Sequence, residues 1–247
     1  MKADPADQAR LLDLQELDSA LDRSTARRKT LPELAAIEQA GTRLAALRDQ
    51  IALAEAAVSD IAREQTRLEN EVELVQTRAT RDQQRLDAGQ VSSPRELENL
   101  QSEIASLGRR QGDLEDDLLE VMERRDGLET DLAKLEAERS GTESERAEAE
   151  HRRDATFAEI DNEAASTRQQ REALAPQLPE ALLTLYEKVR SSSGGVGAAA
   201  LVRRRCSGCH LELAGAELRA AAAAPEDEVL RCEECRRILV RTADSGL

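Results

Sequence analysis

The sequence predicts a mainly α fold, a long antiparallel coiled-coil hairpin with a kinked N-terminal helix, followed by a small C-terminal module. Three observations lead to this prediction. The composition is typical of long helices, because 34% of the 247 residues are charged and the chain has one Phe, one Tyr and no Trp. Apolar residues recur in heptads along two segments that a short turn separates. All four cysteines lie after residue 205.

The first helix is predicted over about residues 5–29. Asp4 can serve as its N-cap, and Pro5 then occupies the first helical position. Leu14, Leu17 and Leu21 form a short apolar stripe, which fades before Pro32 interrupts the run. We therefore expect a break at about residues 30–32 and a second helix from about residue 32. The stripe should lie opposite residues 165–172 of the returning helix.

The hairpin itself is predicted from two long helices, at about residues 32–88 and 94–174. Heptad series step by seven from Ile37 and Ala40 in the first helix, and from Leu97 and Leu100 in the second. The turn at residues 89–93 is so short that the two helices must lie antiparallel. Facing seam residues should then have numbers that add to 186. Four polar seam residues are predicted to fix this register: Gln65, Asp82, Gln111 and Arg125.

The sequence predicts three parts: the hairpin at 1–175, a short helix with a flexible join at 176–195, and the C-terminal module at 196–247. Pro176 and Pro179 end the hairpin, and Ser191–Gly195 has the composition of a flexible join. Within the module, strands are expected at 196–202, 229–231 and 238–241, with a helix at 216–224.

Two C-x-x-C pairs characterise the module. The cysteines are Cys206, Cys209, Cys232 and Cys235, at a spacing typical of a four-cysteine zinc site. Four thiolates leave no open coordination position, so the sequence predicts one structural Zn²⁺ in a small zinc ribbon. His210 is an alternative ligand, although a surface histidine is the simpler interpretation. Few residues of the ribbon are apolar, so we expect metal binding to supply its folding free energy.

The protein is expected to be cytoplasmic. No apolar run is long enough to span a membrane, and the first ten residues lack a signal-peptide pattern. A reducing compartment also favours metal binding over disulfide formation by the C-x-x-C pairs.

Charge is distributed unevenly along the chain. Residues 201–247 carry equal numbers of basic and acidic side chains, so the first 200 residues hold the whole net charge of −15. An acidic hairpin repels a phosphate backbone, which leaves the ribbon arginines as contact candidates for a nucleic acid or a partner protein. They are Arg203, Arg204, Arg205, Arg236, Arg237 and Arg241. The alternative interpretation is that these arginines balance the negative charge of the metal site.

The order of these features resembles the bacterial four-cysteine zinc-ribbon coiled-coil family. The resemblance rests on the long hairpin, on a short helix that ends Leu185-Tyr186-x-x-Val189-Arg190, and on Arg237-Ile238-Leu239 after the second cysteine pair. It implies a non-enzymatic protein whose zinc ribbon contacts nucleic acid or transcription-related proteins. Two departures concern the contact surface, because Arg236 stands where the family has Gly and Val240 where it has Tyr.

Two functional hypotheses follow. The first is a non-enzymatic adaptor in gene expression, whose ribbon contacts nucleic acid or a transcription or translation protein while the coiled coil acts as a spacer or docking surface. The second is a protein–protein scaffold that acts through the coiled-coil face or the hairpin tip, where Asp82 and Asp87 lie, without binding nucleic acid. The chain has no nucleophile–base constellation, phosphate loop or open metal site, so neither an enzyme nor a small-molecule substrate is expected.

Overall fold

The computed structural model describes all 247 residues. They form two compact units, which we call the hairpin unit (residues 35–149) and the ribbon unit (residues 1–34 and 150–247). None of the helices carries an apolar stretch of membrane-spanning length.

Five α-helices and four short strands make up the chain. The helices are α1 (Pro5–Lys29), α2 (Pro32–Asp87), α3 (Pro94–Leu174), α4 (Glu180–Ser192) and α5 (Gly215–Ala223), with one 3₁₀ turn at Ala175–Gln177. The strands are β1 (Ala198–Val202), β2 (Arg205–Cys206), β3 (Leu230–Arg231) and β4 (Ile238–Arg241). Asp4 caps α1 as expected, since its Oδ1 accepts the Ala6 N–H at 2.8 Å.

In the hairpin unit, α2 and α3 pack through the predicted heptad positions. Its buried core consists of seam residues from both helices: Ile61, Leu68, Val72, Leu114 and Val121. At the turn, Gly89 adopts a φ of 64°, which an L-residue rarely tolerates, and the Glu96 N–H donates to Ser93 Oγ at 3.3 Å to start α3. The mainly α hairpin fold is confirmed.

Polar pairs that cross between α2 and α3 show the register. The pairs are Arg43–Glu138 at 2.8 Å, Arg78–Glu103, Glu71–Arg110 at 3.7 Å and Gln76–Glu115 at 3.3 Å. Their residue numbers add to 181 or to 191, five below or five above the predicted seam value of 186. Positions that flank an antiparallel seam on its two sides have this offset, so the observed register is the predicted one.

The four polar seam residues do not act alike. Arg125 Nη1 donates to Gln65 Oε1 across the seam at 3.2 Å, as a register-fixing pair should. Gln111 instead donates to Glu115 on its own helix. Asp82 is buried near Arg81 and Arg85, which belong to its own helix. The prediction that these four residues set the register is therefore supported for the pair of Gln65 and Arg125. The contacts of Gln111 and Asp82 stay within their own helices.

In the ribbon unit, α1 lies antiparallel to the last part of α3. Arg171 Nε donates to Asp18 Oδ1 at 2.6 Å, and Arg27 lies 3.8 Å from Glu163. The buried stripe of α1 differs from the predicted one, however, because it consists of Leu11, Leu14, Gln15 and Asp18, whereas Leu17 and Leu21 are only half-buried. The buried face of α1 is rotated relative to the predicted one because α1 also packs against α4 and the sheet. The heptad pattern of the hairpin contains no information about these contacts.

The four strands form one sheet in the order β2-β1-β4-β3, in which β1 and β4 are parallel and the other pairs antiparallel. Each face of the sheet packs against a different apolar cluster. On one face, Ala198, Ile238 and Val240 join a cluster that contains Leu11 and Tyr186. The other face meets the cysteines through Ala199, Leu201 and Leu239. The sheet therefore lies between the helices and the metal site.

The segment predicted as a short helix with a flexible join (176–195) forms contacts with α1 and with the ribbon (196–247). Gln15 Nε2 of α1 donates to the Gly195 carbonyl at 3.0 Å, and Arg237 Nη2 donates to the Ser193 carbonyl at 2.7 Å. The N-terminus forms an isolated antiparallel bridge between Lys2 and Glu228, in which Val229 N–H donates to Met1 O at 3.0 Å and Ala3 N–H to Asp227 O at 2.8 Å. The ribbon's own apolar residues lie on the sheet, and α1 and α4 complete the core on one face of it with Leu11, Leu182 and Tyr186.

Candidate metal centre

The four cysteines converge on one point. All four Sγ atoms lie within 4.8 Å of one another, with Cys206–Cys235 at 3.8 Å and Cys209–Cys232 at 3.9 Å. A tetrahedron with Zn–S bonds of about 2.3 Å has edges of about 3.8 Å, so the cluster has the dimensions of a zinc site. The donor set, four sulfurs with no oxygen or nitrogen, also suits zinc.

The two C-x-x-C segments have the same local conformation. Cys206 accepts backbone N–H bonds from Gly208 and Cys209, just as Cys232 accepts them from the corresponding residues of the second segment. The residue after each segment adopts the left-handed region, His210 at φ 64° and Arg236 at φ 63°. Arg236 thus adopts the left-handed conformation that suits glycine, the residue at this position in the family that the sequence resembles. His210 is exposed, which agrees with the simpler interpretation of that residue.

Burial governs the protonation of the metal-free thiols. It raises the pKa of Cys206 and raises the pKa of Cys232 to about 12, against the opposing effect of the backbone N–H bonds. Burial acts in the same direction on Cys235, but hydrogen bonds from the Arg237 backbone N–H, the Cys232 thiol and the Arg237 side chain lower its pKa overall. Zinc binds thiolates, so metal binding must release protons and strengthen as the pH rises.

Arg237 supports the metal centre and is not a free contact residue. Its guanidinium donates to three backbone carbonyls, those of Ser193 at 2.7 Å, Val196 at 3.1 Å and Gly208 at 2.9 Å. Gly208 permits this approach, because a Cβ there would lie 2.6 Å from Arg237 Cδ. The guanidinium of Arg237 is thus engaged within the ribbon unit, which fits the charge-balancing alternative for this arginine.

Arg241 is likewise engaged inside the ribbon unit. Its Nη1 donates to the Pro225 carbonyl at 2.9 Å, and its Nε and Nη2 atoms are buried with no hydrogen-bond partner. Charge alone groups Arg241 with the other ribbon arginines in the sequence. The chain around Pro225 instead covers it.

The other four candidates are exposed. Arg203 and Arg204 form the two-residue turn between β1 and β2, with φ values of 47° and 65°. Arg205 follows at the start of β2, and Arg236 lies after the second cysteine pair. Arg204 Nε donates to the Gly246 carbonyl at 3.2 Å, but none of the four forms an ion pair with a carboxylate. Of the six candidate contact residues, four are therefore exposed, and Arg237 and Arg241 are engaged by backbone carbonyls.

A buried polar network behind the sheet was missed by the sequence interpretation. Asp18 accepts hydrogen bonds from Tyr186 Oη at 2.7 Å and Arg171 Nε at 2.6 Å, and Gln15 Oε1 accepts the Gly197 N–H at 2.6 Å. Gln15 and Asp18 follow Leu11 by four and seven residues, so they lie on the same helical face. The sequence signal that could have revealed this network is the presence of two polar residues, Gln15 and Asp18, on the apolar face of α1.

Comparison with protein-family models identifies both parts of the chain. The model described as the CT398-like coiled coil hairpin domain matches residues 14–194, and that of the C4-type zinc ribbon domain matches residues 205–239. The chain belongs to the CT398-like coiled-coil hairpin family. The resemblance inferred from the sequence is thereby confirmed, and the four cysteines of this family member are the ligands of a structural zinc.

Individual relatives agree with this membership of the CT398-like family. Uncharacterized proteins of two Mycobacterium tuberculosis strains are each 38% identical over 241 residues, which covers 98% of both chains. A solved structure from Mycobacterium smegmatis shares 33% identity at a TM-score of 0.83, covering 98% of this chain and 100% of that one. CT398 from Chlamydia trachomatis, at 21% identity and a TM-score of 0.66 over 96% and 98% of the two chains, shares the fold.

Proposed function

We propose that the protein is a non-enzymatic zinc-binding adaptor in gene expression. Its ribbon contacts nucleic acid, or a transcription or translation protein, and the coiled coil serves as a spacer or docking surface. The observation that carries this proposal is the β1–β2 turn, where Arg203 and Arg204 both adopt the left-handed region and are exposed.

The turn is unusual in its residue types. A two-residue hairpin turn with positive φ at both positions normally contains Asn-Gly or Asp-Gly, because other side chains are strained there. Each strained residue costs of order 1 kcal/mol or more, and such strain concentrates at functional sites. Here the strained residues are both arginines, whose planar guanidinium matches phosphate and carboxylate groups. Arg205 and Arg236 add two more guanidiniums that no carboxylate neutralises.

The metal centre fits a binding role. Four thiolates complete the zinc coordination shell, so the ion holds the ribbon in shape and offers no position to a substrate. Reduced thiols are needed for this shell, which favours a cytoplasmic location.

The test is a double variant, Arg203→Asn with Arg204→Gly. It removes two charges and replaces the strained turn with the preferred one, so the ribbon should stay folded. Affinity for a fluorescent single-stranded RNA should fall, and the slope of log K against log salt should become shallower by about 1.4. Arg219→Gln, on the exposed surface of α5, is the matched control.

An unchanged affinity and salt slope in the double variant would contradict the nucleic-acid form of the proposal. Capture of the same protein partner from nuclease-treated extract by the wild type, and not by the double variant, would instead support the form with a transcription or translation protein.

The scaffold hypothesis is favoured by one feature of the hairpin tip. A cavity of about 320 Å³ lies there, lined among others by Arg81, Asp82, Arg85, Val91 and Leu100. Asp82 is buried in it and is not presented outward, so a partner would meet the arginines first. If the tip binds the partner, Arg81→Ala with Arg85→Ala should abolish capture, while the Arg203→Asn, Arg204→Gly variant should retain it.

A further inference from the structure

We propose that Glu217 of α5 is a positioning residue for the zinc site. Its carboxylate holds the second C-x-x-C segment (Cys232–Cys235) in place through the Glu233 N–H, and loss of this hydrogen bond lets that segment open and release zinc. This inference concerns zinc binding alone and does not depend on what the ribbon contacts.

The two cysteine segments share one pattern of backbone hydrogen bonds at their ends. The first cysteine of each segment donates its N–H to the carbonyl five residues later, and its own carbonyl accepts the N–H four residues later. The two distances are 3.1 and 2.7 Å at Cys206, and 3.1 and 2.9 Å at Cys232. The ends of both segments are therefore fixed in the same way, by backbone groups.

The segments differ in how the residue after the first cysteine is held. In the first segment, the Ser207 N–H donates to the Ala200 carbonyl of β1 at 2.9 Å, and Ser207 Oγ accepts the Ala200 N–H at 2.8 Å. In the second segment, the equivalent N–H is that of Glu233, and it donates to a side chain, Glu217 Oε1, at 3.1 Å. One carboxylate thus occupies the place that a strand of the sheet has in the first segment.

The position of α5 beside the metal centre explains how Glu217 reaches this N–H. Leu218 packs against the apolar cluster that contains Cys206 and Cys232, and Glu217 precedes it in the first turn of the helix. A carboxylate in the first turn also interacts favourably with the helix dipole. A hydrogen bond to an ionised acceptor is stronger than one between neutral groups, so this contact is suited to holding the segment.

The anchoring of α5 is weak compared with that of the sheet. The helix has nine residues, and its N-cap residue, Ala214, provides no side-chain hydrogen bond. Helices this short are marginal without tertiary contacts, and segments with few such contacts open locally at low cost in free energy. We therefore expect zinc exchange to begin with separation of α5 from the second segment, while the first segment stays on β1.

The experiment measures the rate of zinc release from the full-length, zinc-loaded protein into excess pyridylazoresorcinol, at concentrations where the rate no longer depends on the chelator. Glu217→Ala removes the acceptor and keeps a strong helix former. Release should become about tenfold faster, the low end for a hydrogen bond to a charged group, because this bond is exposed. Glu217→Gln keeps an oxygen acceptor at the same reach and should stay within about threefold of the wild type. Glu226→Ala, which removes an exposed carboxylate elsewhere in the ribbon, should release zinc at the wild-type rate.

Amide hydrogen exchange of the ¹⁵N-labelled, zinc-loaded protein gives a local readout of the same bond. Exchange at Glu233 should accelerate in Glu217→Ala and return toward the wild-type rate in Glu217→Gln. Exchange at Ser207 should stay unchanged in both variants, because its acceptor is a backbone carbonyl.

Three outcomes overturn the proposal. A wild-type release rate in Glu217→Ala means that the bond does not hold the segment. Release from Glu217→Gln as fast as from Glu217→Ala means that charge matters and the hydrogen-bond acceptor does not. Equal acceleration of exchange at Ser207 and Glu233 means that the whole ribbon is loosened. Should Glu217→Ala fail to fold, Glu217→Asp keeps the charge and withdraws the acceptor by one methylene, so it should release zinc faster than the wild type, and an unchanged rate overturns the proposal equally.

Discussion

Replacing Asp18 with Ala tests the network that joins the helices of the ribbon unit. Asp18 is 2% exposed, accepts hydrogen bonds from Tyr186 and Arg171, and lies 3.4 Å from Arg190 Nε. Breaking a buried ion pair by removing one partner costs about 3–5 kcal/mol. Both arginines keep a second carboxylate, and their side chains are 25% and 23% exposed, so the lower end applies and we expect about 3 kcal/mol.

The assay is urea unfolding of the zinc-loaded protein, followed by tyrosine fluorescence. Tyr186 is the only Tyr and the chain has no Trp, so this signal reports on the ribbon unit alone. With an m value of about 2 kcal/mol/M, the midpoint should fall by about 1.5 M.

The matched control is Asp22→Ala, because Asp22 binds the same Arg190 at 2.8 Å from a side chain that is 55% exposed. An exposed pair contributes about 0–1 kcal/mol, so this variant should shift the midpoint by less than about 0.5 M. Equal shifts in the two variants would refute the reasoning, because burial would then have no bearing on the strength of the network.

Three further predictions concern the same unit. Burial and the hydrogen bond to Asp18 raise the pKa of Tyr186 above its usual value of about 10, so tyrosinate absorbance should appear only as the unit unfolds. Because the folded protein favours the neutral phenol, Tyr186 contributes to the free energy of unfolding below about pH 10, and this contribution is lost as the pH rises further. Tyrosinate absorbance from the folded protein near pH 10 would contradict this prediction. Chelation of zinc, or Cys206→Ser, should lower the tyrosine-detected midpoint and leave most helical circular dichroism intact; an unchanged midpoint would show that the ribbon is independent of α1. Gly197→Ala places a Cβ 2.8 Å from Tyr186 and should lower the free energy of unfolding by about 1–3 kcal/mol in the same assay. The control Gly215→Ala should change it by less than about 1 kcal/mol. Equal effects of the two substitutions would argue against the close contact at Gly197.

The predictable part of this fold consists of patterns that repeat or lie close together in sequence. Heptads place Val72 and Leu114 in one seam, and the spacing within each C-x-x-C pair places both sulfurs of a segment on one side. The left-handed backbone of Arg236 agrees with the glycine that stands at this position in the family that the sequence resembles. Each of these features depends on geometry over a few residues, which local sequence determines.

The remainder depends on contacts between residues far apart in the chain. Gln15 reaches Gly197 across 182 positions, and Met1, whose own segment carries no strand pattern, accepts the Val229 N–H. Arg237 and Arg241 resemble the exposed arginines in sequence, yet their guanidiniums bind carbonyls that only the folded chain brings near. Neither periodicity nor spacing encodes such contacts, so the sequence could not separate supporting arginines from exposed ones.

The pairing of the chain's first residues with its last elements has a consequence for synthesis on the ribosome. Residues 35–149 are contiguous and can fold as soon as they leave the ribosome. Leu11, in contrast, can reach its buried position only after Ile238 has been synthesised, because the two residues share one core cluster. At about 5–20 residues per second, this interval lasts roughly 10 to 45 seconds. Throughout it the nascent α1 exposes an apolar face, and the ribbon unit closes only when the last strand is released and zinc is at hand. The ribbon unit is therefore expected to be the last part of the protein to fold, after β4 has left the ribosome.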